Sequence, residues 1–171
     1  MNGKVARMRI PMLIAVLLAA AAAAEVAGAS PDAPRLKLTA GQAGIDRSVD
    51  SPGAYGLEYQ LRPVGRYRIV PAVGFSWIDN GASYLYAELK RDFRLENGFI
   101  VTPSFGLARF DASPDLQLGQ TLEFRSGIEI GYELNNRNRV GIALYHLSNG
   151  GLARENPGTE VLMLTFTTPS G

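Results

Sequence analysis

Apolar and polar residues alternate with a period of two along most of this chain, and that pattern constrains the fold more than any other feature. In the segment 122–133, one parity is apolar except for Ser126, and the other parity is charged or glycine. Successive side chains of a β-strand point to opposite faces, so each face of this segment would have a single character. The alternation predicts an all-β chain built from two-faced strands.

Eight segments carry this alternation. We predict strands near residues 35–45, 54–62, 67–78, 83–93, 99–110, 121–134, 139–147 and 160–168. Each segment is about as long as the roughly 9–11 residues that a strand needs to cross a bilayer. The links between strands alternate in length, with tight turns following every second strand, as in an up-and-down arrangement of hairpins.

Two architectures fit such strands, because the apolar parity can face either a core or a lipid bilayer. The polar parity carries charges of both signs and many glycines, which suits a small lumen filled by side chains. Aromatic residues such as Tyr55, Trp77, Phe99 and Phe110 fall near strand ends, where membrane barrels have aromatic girdles. We therefore predict an eight-stranded antiparallel transmembrane β-barrel of the bacterial outer membrane. The alternative is a soluble barrel of the lipocalin or avidin kind.

The N-terminus has the layout of a secretory signal peptide. Lys4, Arg7 and Arg9 precede the apolar run 12–24, and the small residues 27–29 fit a cleavage site. We expect residues 1–29 to be the signal peptide and residues 30–171 to form one barrel domain. The 142 residues left would carry a net charge of −1, which gives no argument for a nucleic-acid partner. The chain has no cysteine, so a core or a closed sheet must hold it together.

The single histidine of the chain marks the strongest chemical signal. His146 has a hydroxyl two residues on, at Ser148, and a carboxylate fourteen residues on, at Glu160. If the last two strands pair, opposite residues have Cβ atoms about 4.5–5.5 Å apart, so Glu160 can reach the imidazole. A hydroxyl needs a base to become a nucleophile, and an imidazole base needs an acid to fix its tautomer. We predict a Ser-His-Glu triad; the alternative is a set of polar residues at the membrane interface.

The loop between the last two strands offers donors for an oxyanion. Gly150 and Gly151 allow backbone N–H groups to approach a reacting carbonyl, and Asn149 and Asn156 have amide side chains. With parity placing the triad among the lipid-facing residues, a substrate chain would lie along Leu144, Leu162 and Leu164.

Other catalytic arrangements have little support. The G-x-S-x-G elbow of α/β-hydrolases is absent from the sequence. One histidine and no cysteine give too few ligands for a zinc site. Carboxylates at Asp111, Asp115 and Glu123 are scattered, and we interpret them as solvated groups instead of calcium ligands. We expect neither a metal nor another cofactor.

The residues around His146 resemble the signature of the lipid A 3-O-deacylase family, the PagL-type outer-membrane esterases. The matching positions read His146-Leu147-Ser148-Asn149, Gly150-Gly151, Asn156-Pro157-Gly158 and Glu160. The resemblance implies that Ser148 is the nucleophile, His146 the general base and Glu160 its orienting acid. It also implies oxyanion roles for Asn156 and for the backbone near Gly151.

The function that this resemblance implies is hydrolysis of the 3-O-linked acyl chain of lipid A, with lipopolysaccharide as the substrate. A periplasmic N-terminus would send the seventh strand outward, so its end would lie at the outer-leaflet side of the outer membrane. The alternatives are a non-enzymatic small barrel for adhesion or membrane stability, and a phospholipase or acyltransferase barrel. The sequence leaves the oligomeric state open, with a homodimer as one option.

Overall fold

A computed structural model describes residues 30–46 and 51–170, and the predicted signal peptide at positions 1–29 lies outside the described residues. The strands are β1 (Arg35–Ala43), β2 (Gly53–Gln60), β3 (Ile69–Ile78), β4 (Ser83–Arg91), β5 (Phe93–Arg94), β6 (Phe99–Asp111), β7 (Leu122–Glu133), β8 (Arg139–Ser148) and β9 (Thr159–Pro169). A 3-10 turn (Glu96–Gly98) precedes β6. Within residues 30–46 and 51–170, no helix has both the length and the apolar character needed to cross a membrane.

The eight long strands close into a barrel. Each strand pairs antiparallel with its neighbours, β4 pairs with β6, and β1 pairs with β9 to complete the ring. The two-residue strand β5 only extends the contact of this hairpin along β6. Closure satisfies the backbone hydrogen bonds of every long strand, which a sheet in a hydrocarbon environment requires. The predicted eight-stranded fold is confirmed, and the long strands begin and end within two residues of the predicted positions.

The apolar parity lies on the outer surface of the barrel. Large hydrophobic side chains on this surface are between 39% and 59% exposed and come from every long strand except β1: Leu57, Tyr59, Val73, Phe75, Trp77, Leu85, Leu89, Phe105, Leu107, Ile128, Ile130, Ile142, Leu144 and Leu162. A soluble barrel would bury these residues, since exposed apolar patches of this extent mark a contact surface. The arrangement fits strands that face lipid.

Paired charges fill the lumen. Six buried ionisable residues form one network of ion pairs: Lys37, Lys90, Arg125, Glu58, Glu88 and Glu129. The Arg125 guanidinium also lies between two tyrosine rings, 3.6 Å from the centroid of Tyr145 and 4.0 Å from that of Tyr86. Cations and carboxylates balance in number, as buried charges need partners to offset the loss of hydration.

The two ends of the barrel differ. Connections of five to eight residues, at 61–68, 92–98 and 134–138, share one end with both termini of the barrel, where the Ser170 amide donates to the Pro34 carbonyl. The longer loops after β1, β6 and β8 share the other end with the short link 79–82. Leu116 and Leu118, in the loop after β6, are buried beneath that end with Leu147. The predicted site therefore lies at the long-loop end of the barrel.

Candidate active site

The register of β7, β8 and β9 brings three polar side chains into one row on the outer surface. His146 on β8 lies directly opposite Glu160 on β9, and opposite Ser126 on β7. The side chain of His146 is 46% exposed and that of Glu160 is 34% exposed. Both residues have the parity of the neighbouring apolar residues, so the row faces outward among the lipid-facing side chains.

The imidazole and the carboxylate are hydrogen-bonded. His146 Nδ1 lies 2.9 Å from Glu160 Oε1. An ionised carboxylate only accepts hydrogen bonds, so Nδ1 carries the proton and, in the neutral ring, Nε2 keeps its lone pair. The backbone of Glu160 is fixed on both sides, because its amide donates to Asp46 Oδ1 at 3.1 Å and its carbonyl accepts from the Gly44 amide at 2.8 Å. The pair thus has the tautomer that a general base needs.

Ser148 ends β8, on the same face as His146. It is half-buried and lies opposite Phe124 of β7, one row nearer the loop end than the imidazole. Among the described residues, its hydroxyl has no hydrogen bond to the ring. Contacts between a nucleophile and its base are often looser before substrate binds. The structure therefore joins two of the three predicted triad residues and leaves the third adjacent to them.

Asn149 holds the loop after β8 in place. Its side chain is fully buried, and Nδ2 donates to the carbonyls of Leu118 at 3.1 Å and Glu155 at 2.8 Å. Its Oδ1 accepts from the Gly151 amide at 3.0 Å. Both amide hydrogens are thus used within the protein, and so is the backbone N–H of Gly151. These bonds give Asn149 a structural role and leave neither of these predicted donors directed at a substrate.

Asn156 and Gly150 are the remaining predicted donors. Asn156 is exposed, and its Oδ1 accepts from the Asn149 amide at 2.9 Å, which turns the planar amide so that Nδ2 lies on the opposite side. Gly150 is also exposed and has the left-handed φ of 64° that glycine favours. In the described chain, the backbone N–H of Gly150 and the Nδ2 of Asn156 have no hydrogen-bond acceptor. An oxyanion hole would use these two groups.

Two features of the site were not predicted. Ser126 could be recognised in the sequence only as a break in an apolar face, because its partner depends on the register between β7 and β8. The second is the hydrogen bond from Asn149 to the Leu118 carbonyl in the loop after β6, which no periodic pattern in the sequence could reveal. In that loop, a Cβ on Gly119 would lie 2.2 Å from the Glu155 carbonyl oxygen, so the two loops approach as closely as a glycine allows.

Asp111, Asp115 and Glu123, which the sequence raised as possible calcium ligands, do not form a metal site in the described part of the chain. No group of three or more His, Cys, Asp or Glu side chains within residues 30–46 and 51–170 is arranged to hold a metal ion. Asp111 is exposed and lies 3.6 Å from Arg109, as expected of a solvated group, whereas Glu123 is buried in the barrel, so the prediction that it is solvated is wrong. These residues do not form a common site with Asp115.

The comparisons with known proteins agree with this fold and cover the strands that carry the candidate site. The family model described as lipid A 3-O-deacylase (PagL) matches residues 53–169. The lipid A deacylase PagL of Bordetella bronchiseptica is 30% identical over 112 residues, which cover 60% of this chain and 63% of that protein. A crystal structure of the outer membrane enzyme PagL matches with a TM-score of 0.63 and 22% identity, covering 80% of this chain and 99% of that one.

A designed transmembrane β-barrel also matches, with a TM-score of 0.57 and 12% identity, covering 83% of this chain and 98% of the design. Both structural matches carry the same meaning, since at these identities they establish the fold. The molecule is a β-barrel of the outer-membrane class. From the extent of the family match, the chain belongs to the lipid A 3-O-deacylase (PagL) family, as its signature residues predicted.

Proposed function

We propose that this protein is a serine esterase that hydrolyses the 3-O-linked acyl chain of lipid A in the outer leaflet of the outer membrane. The observation that carries the proposal is the 2.9 Å hydrogen bond between His146 Nδ1 and Glu160 Oε1 on the outer surface, beside Ser148. An ionisable pair on a lipid-facing surface is costly, and its presence there therefore points to a function. Family membership supplies the substrate class, and a lipid-facing site suits a substrate that stays in the bilayer.

The chemistry follows from these groups. Ser148 Oγ attacks the ester carbonyl carbon while His146 Nε2 takes the hydroxyl proton, and Glu160 stabilises the resulting imidazolium. The oxyanion accepts hydrogen bonds from Asn156 Nδ2 and the Gly150 amide. Collapse breaks the bond to the lipid A 3-oxygen, which leaves with the proton from Nε2. Water, deprotonated by the same nitrogen, then attacks the acyl carbon, the bond to Ser148 Oγ breaks, and Nε2 returns the proton to Oγ as the fatty acid is released.

Two hydroxyls flank His146, and the orientation of the ring favours Ser148 as the nucleophile. With Nδ1 held by Glu160, the Cε1–Nε2 edge lies against Gly158 in the loop that follows Ser148. That edge is directed toward the long-loop end, where Ser148 lies. Ser126 on β7 lies directly opposite His146, on the side of β8 away from Glu160 and Gly158.

An apolar groove beside the site supports an acyl substrate. A cavity of about 570 Å³ runs along the outer surface between β7 and β8. The side chains lining it include Ile128, Ile130, Tyr132, Val140, Ile142 and Leu144. It begins one row below His146 and extends to the Tyr132–Val140 row, roughly 20 Å from the imidazole row at about 3.4 Å per residue. We therefore place the acyl chain along β7 and β8 instead of along Leu162 and Leu164.

Filling this groove should shorten the chains that the enzyme accepts. We expect Ile142→Trp to lower the rate of release of long acyl chains about tenfold. Excluding two methylenes costs about 1.6 kcal/mol of apolar burial, and that energy corresponds to a factor of about ten in rate. The rate of hydrolysis of a short-chain ester should change less than twofold, as measured with a soluble chromogenic substrate.

The matched control for this prediction is Leu162→Trp, which adds the same ring to the outer face of β9, outside the groove. A loss confined to Leu162→Trp would instead place the acyl chain along β9, and equal losses for the two variants would contradict a chain confined to the groove.

Mass spectrometry of lipid A tests the proposed function. Purified protein in detergent is incubated with lipopolysaccharide and, in a parallel reaction, with phospholipid. We expect lipid A lighter by one hydroxyacyl chain, an equal amount of free hydroxy fatty acid, and unchanged phospholipid. Loss of acyl chains from phospholipid would indicate a phospholipase, and transfer to a second lipid an acyltransferase. Unchanged lipids in both reactions would contradict an enzymatic role.

A further inference from the structure

Gly158 lies against the reactive edge of the imidazole. It is buried, directly precedes β9, and has a φ of 59°, in the left-handed region. A Cβ built at this position would lie 3.0 Å from His146 Cε1 and 3.6 Å from Nε2. It would also lie 3.2 Å from the Leu147 carbonyl oxygen, which is backbone and has little freedom to move. The His146 ring therefore contacts the backbone of the loop at a residue that has no side chain.

The opposite edge of the same ring is held by Glu160 through Nδ1, at 2.9 Å. The exposed part of His146 faces outward, and among the described residues no polar side chain other than Glu160 forms a hydrogen bond with the ring. Two contacts thus determine how the ring is turned: a hydrogen bond at Nδ1 and the backbone of Gly158 at the Cε1–Nε2 edge. In this orientation Nε2 lies on the Gly158 side of the ring, at the loop end of β8, where Ser148 is the last residue.

We propose that Gly158 is a positioning residue for the catalytic imidazole, an inference that rests on the proposed function. The absence of a side chain at this position lets the Cε1–Nε2 edge of the ring lie against the loop while Nδ1 stays bonded to Glu160. Any Cβ here would push the ring outward from the loop. Because Glu160 holds the ring from the neighbouring strand, that movement would tilt Nδ1 away from Oε1 and Nε2 away from Ser148.

The requirement for glycine has two separable parts. The left-handed φ disfavours L-residues, and asparagine tolerates it better than alanine does. The contact with the ring crowds any residue that has a Cβ, asparagine included, because the ring would have to shift by a few tenths of an ångström. If the contact matters, Gly158→Ala and Gly158→Asn should both lose activity to a similar extent. If only the backbone conformation matters, Gly158→Asn should recover most of it.

The kinetic experiment compares these variants with Gly65→Ala, using purified barrels and lipopolysaccharide. Gly65 has a similar φ of 65°, and a Cβ there would meet nothing within 4 Å, so it reproduces the strain without the contact. We expect both Gly158 variants to lower kcat by about 10- to 10²-fold, with KM changed less than twofold, because small misplacements of a reacting group have effects of this size. Gly65→Ala should retain wild-type kcat.

A second measurement reads the ring directly and does not depend on turnover. His146 is the only histidine, so ¹⁵N-histidine labelling of protein with a histidine-free affinity tag gives one pair of ring nitrogen signals. At a pH high enough to leave the ring neutral, we expect wild-type protein and Gly65→Ala to carry the ring proton on Nδ1. The Gly158 variants should show a mixture of tautomers, since the bond to Glu160 is weakened.

Four results would overturn the proposal: wild-type kcat in Gly158→Ala, recovery in Gly158→Asn, an equal loss in Gly65→Ala, or reduced kcat with wild-type ring signals. If the wild-type barrel released no acyl chain from lipopolysaccharide, the proposed function would fail instead. The ring signals would still decide whether Gly158 orients the imidazole.

Discussion

Replacing Ser148 with alanine should lower the rate of acyl release from lipopolysaccharide by at least about 10³-fold, since residual catalysis would come only from binding and the oxyanion donors. His146→Asn should cause a loss of the same size, because without the base the hydroxyl remains protonated at neutral pH. The double variant should be no worse than either single variant, as expected for residues that act as a unit. Release is measured as free hydroxy fatty acid by mass spectrometry.

Ser126→Ala is the matched control for this prediction. It removes the other hydroxyl next to His146, which belongs to β7, on the side of β8 opposite to β9 and Glu160. We expect it to retain activity within about threefold, as is usual when a surface hydroxyl away from the reacting atoms is removed. All four variants should keep the shift in gel mobility on heating that a folded barrel shows. Full activity in Ser148→Ala, or loss in Ser126→Ala alone, would reassign the nucleophile.

Replacing Glu160 with glutamine should have the second largest effect, a fall in kcat of about 10²- to 10⁴-fold. Glutamine has nearly the same size as glutamate, so packing against β8 is kept. Its amide can present a donor to Nδ1, which favours the tautomer with the proton on Nε2 and leaves no base for Ser148. The loss should therefore appear in kcat, with little change in KM.

Glu155→Gln provides the control for charge and loop position. Glu155 is exposed in the loop between β8 and β9. Its backbone carbonyl, not its carboxylate, accepts a hydrogen bond from Asn149. The variant removes one negative charge near the site without touching the imidazole, so its kcat should match that of the wild type. If both glutamine variants lost activity equally, loop charge and not the hydrogen bond at 2.9 Å would be the important property.

The strands and the outward facing of His146, Ser148 and Glu160 could be predicted because the period of a sheet is two and one face meets lipid. That parity assigned His146 and Glu160 to the outer surface, and the register then brought them opposite each other. The lumen was predicted only as a mixture of charges. Which cation meets which carboxylate, for example Arg125 with Glu88, depends on the stagger of strands around the barrel and not on local sequence.

The loop residues were harder to predict, because their roles depend on contacts between distant segments. Asn149 has the amide expected of an oxyanion donor, yet that amide is used by the carbonyls of Leu118 and Glu155. Only the folding of the loop after β6 over the barrel end creates the first of these contacts. Gly158 likewise matches a signature, but its contact with the imidazole requires the conformation of the loop after β8.

Labelling with an alkyl fluorophosphonate tests most directly whether this outward-facing hairpin activates a serine. An activated hydroxyl oxygen bonds to phosphorus and displaces fluoride, and trypsin then separates the two candidate serines into the peptides 140–154 and 126–137. We predict one phosphonate on Ser148 in the wild-type barrel and none in His146→Asn. Labelling of Ser126, or equal labelling of Ser148 with and without His146, would contradict the account.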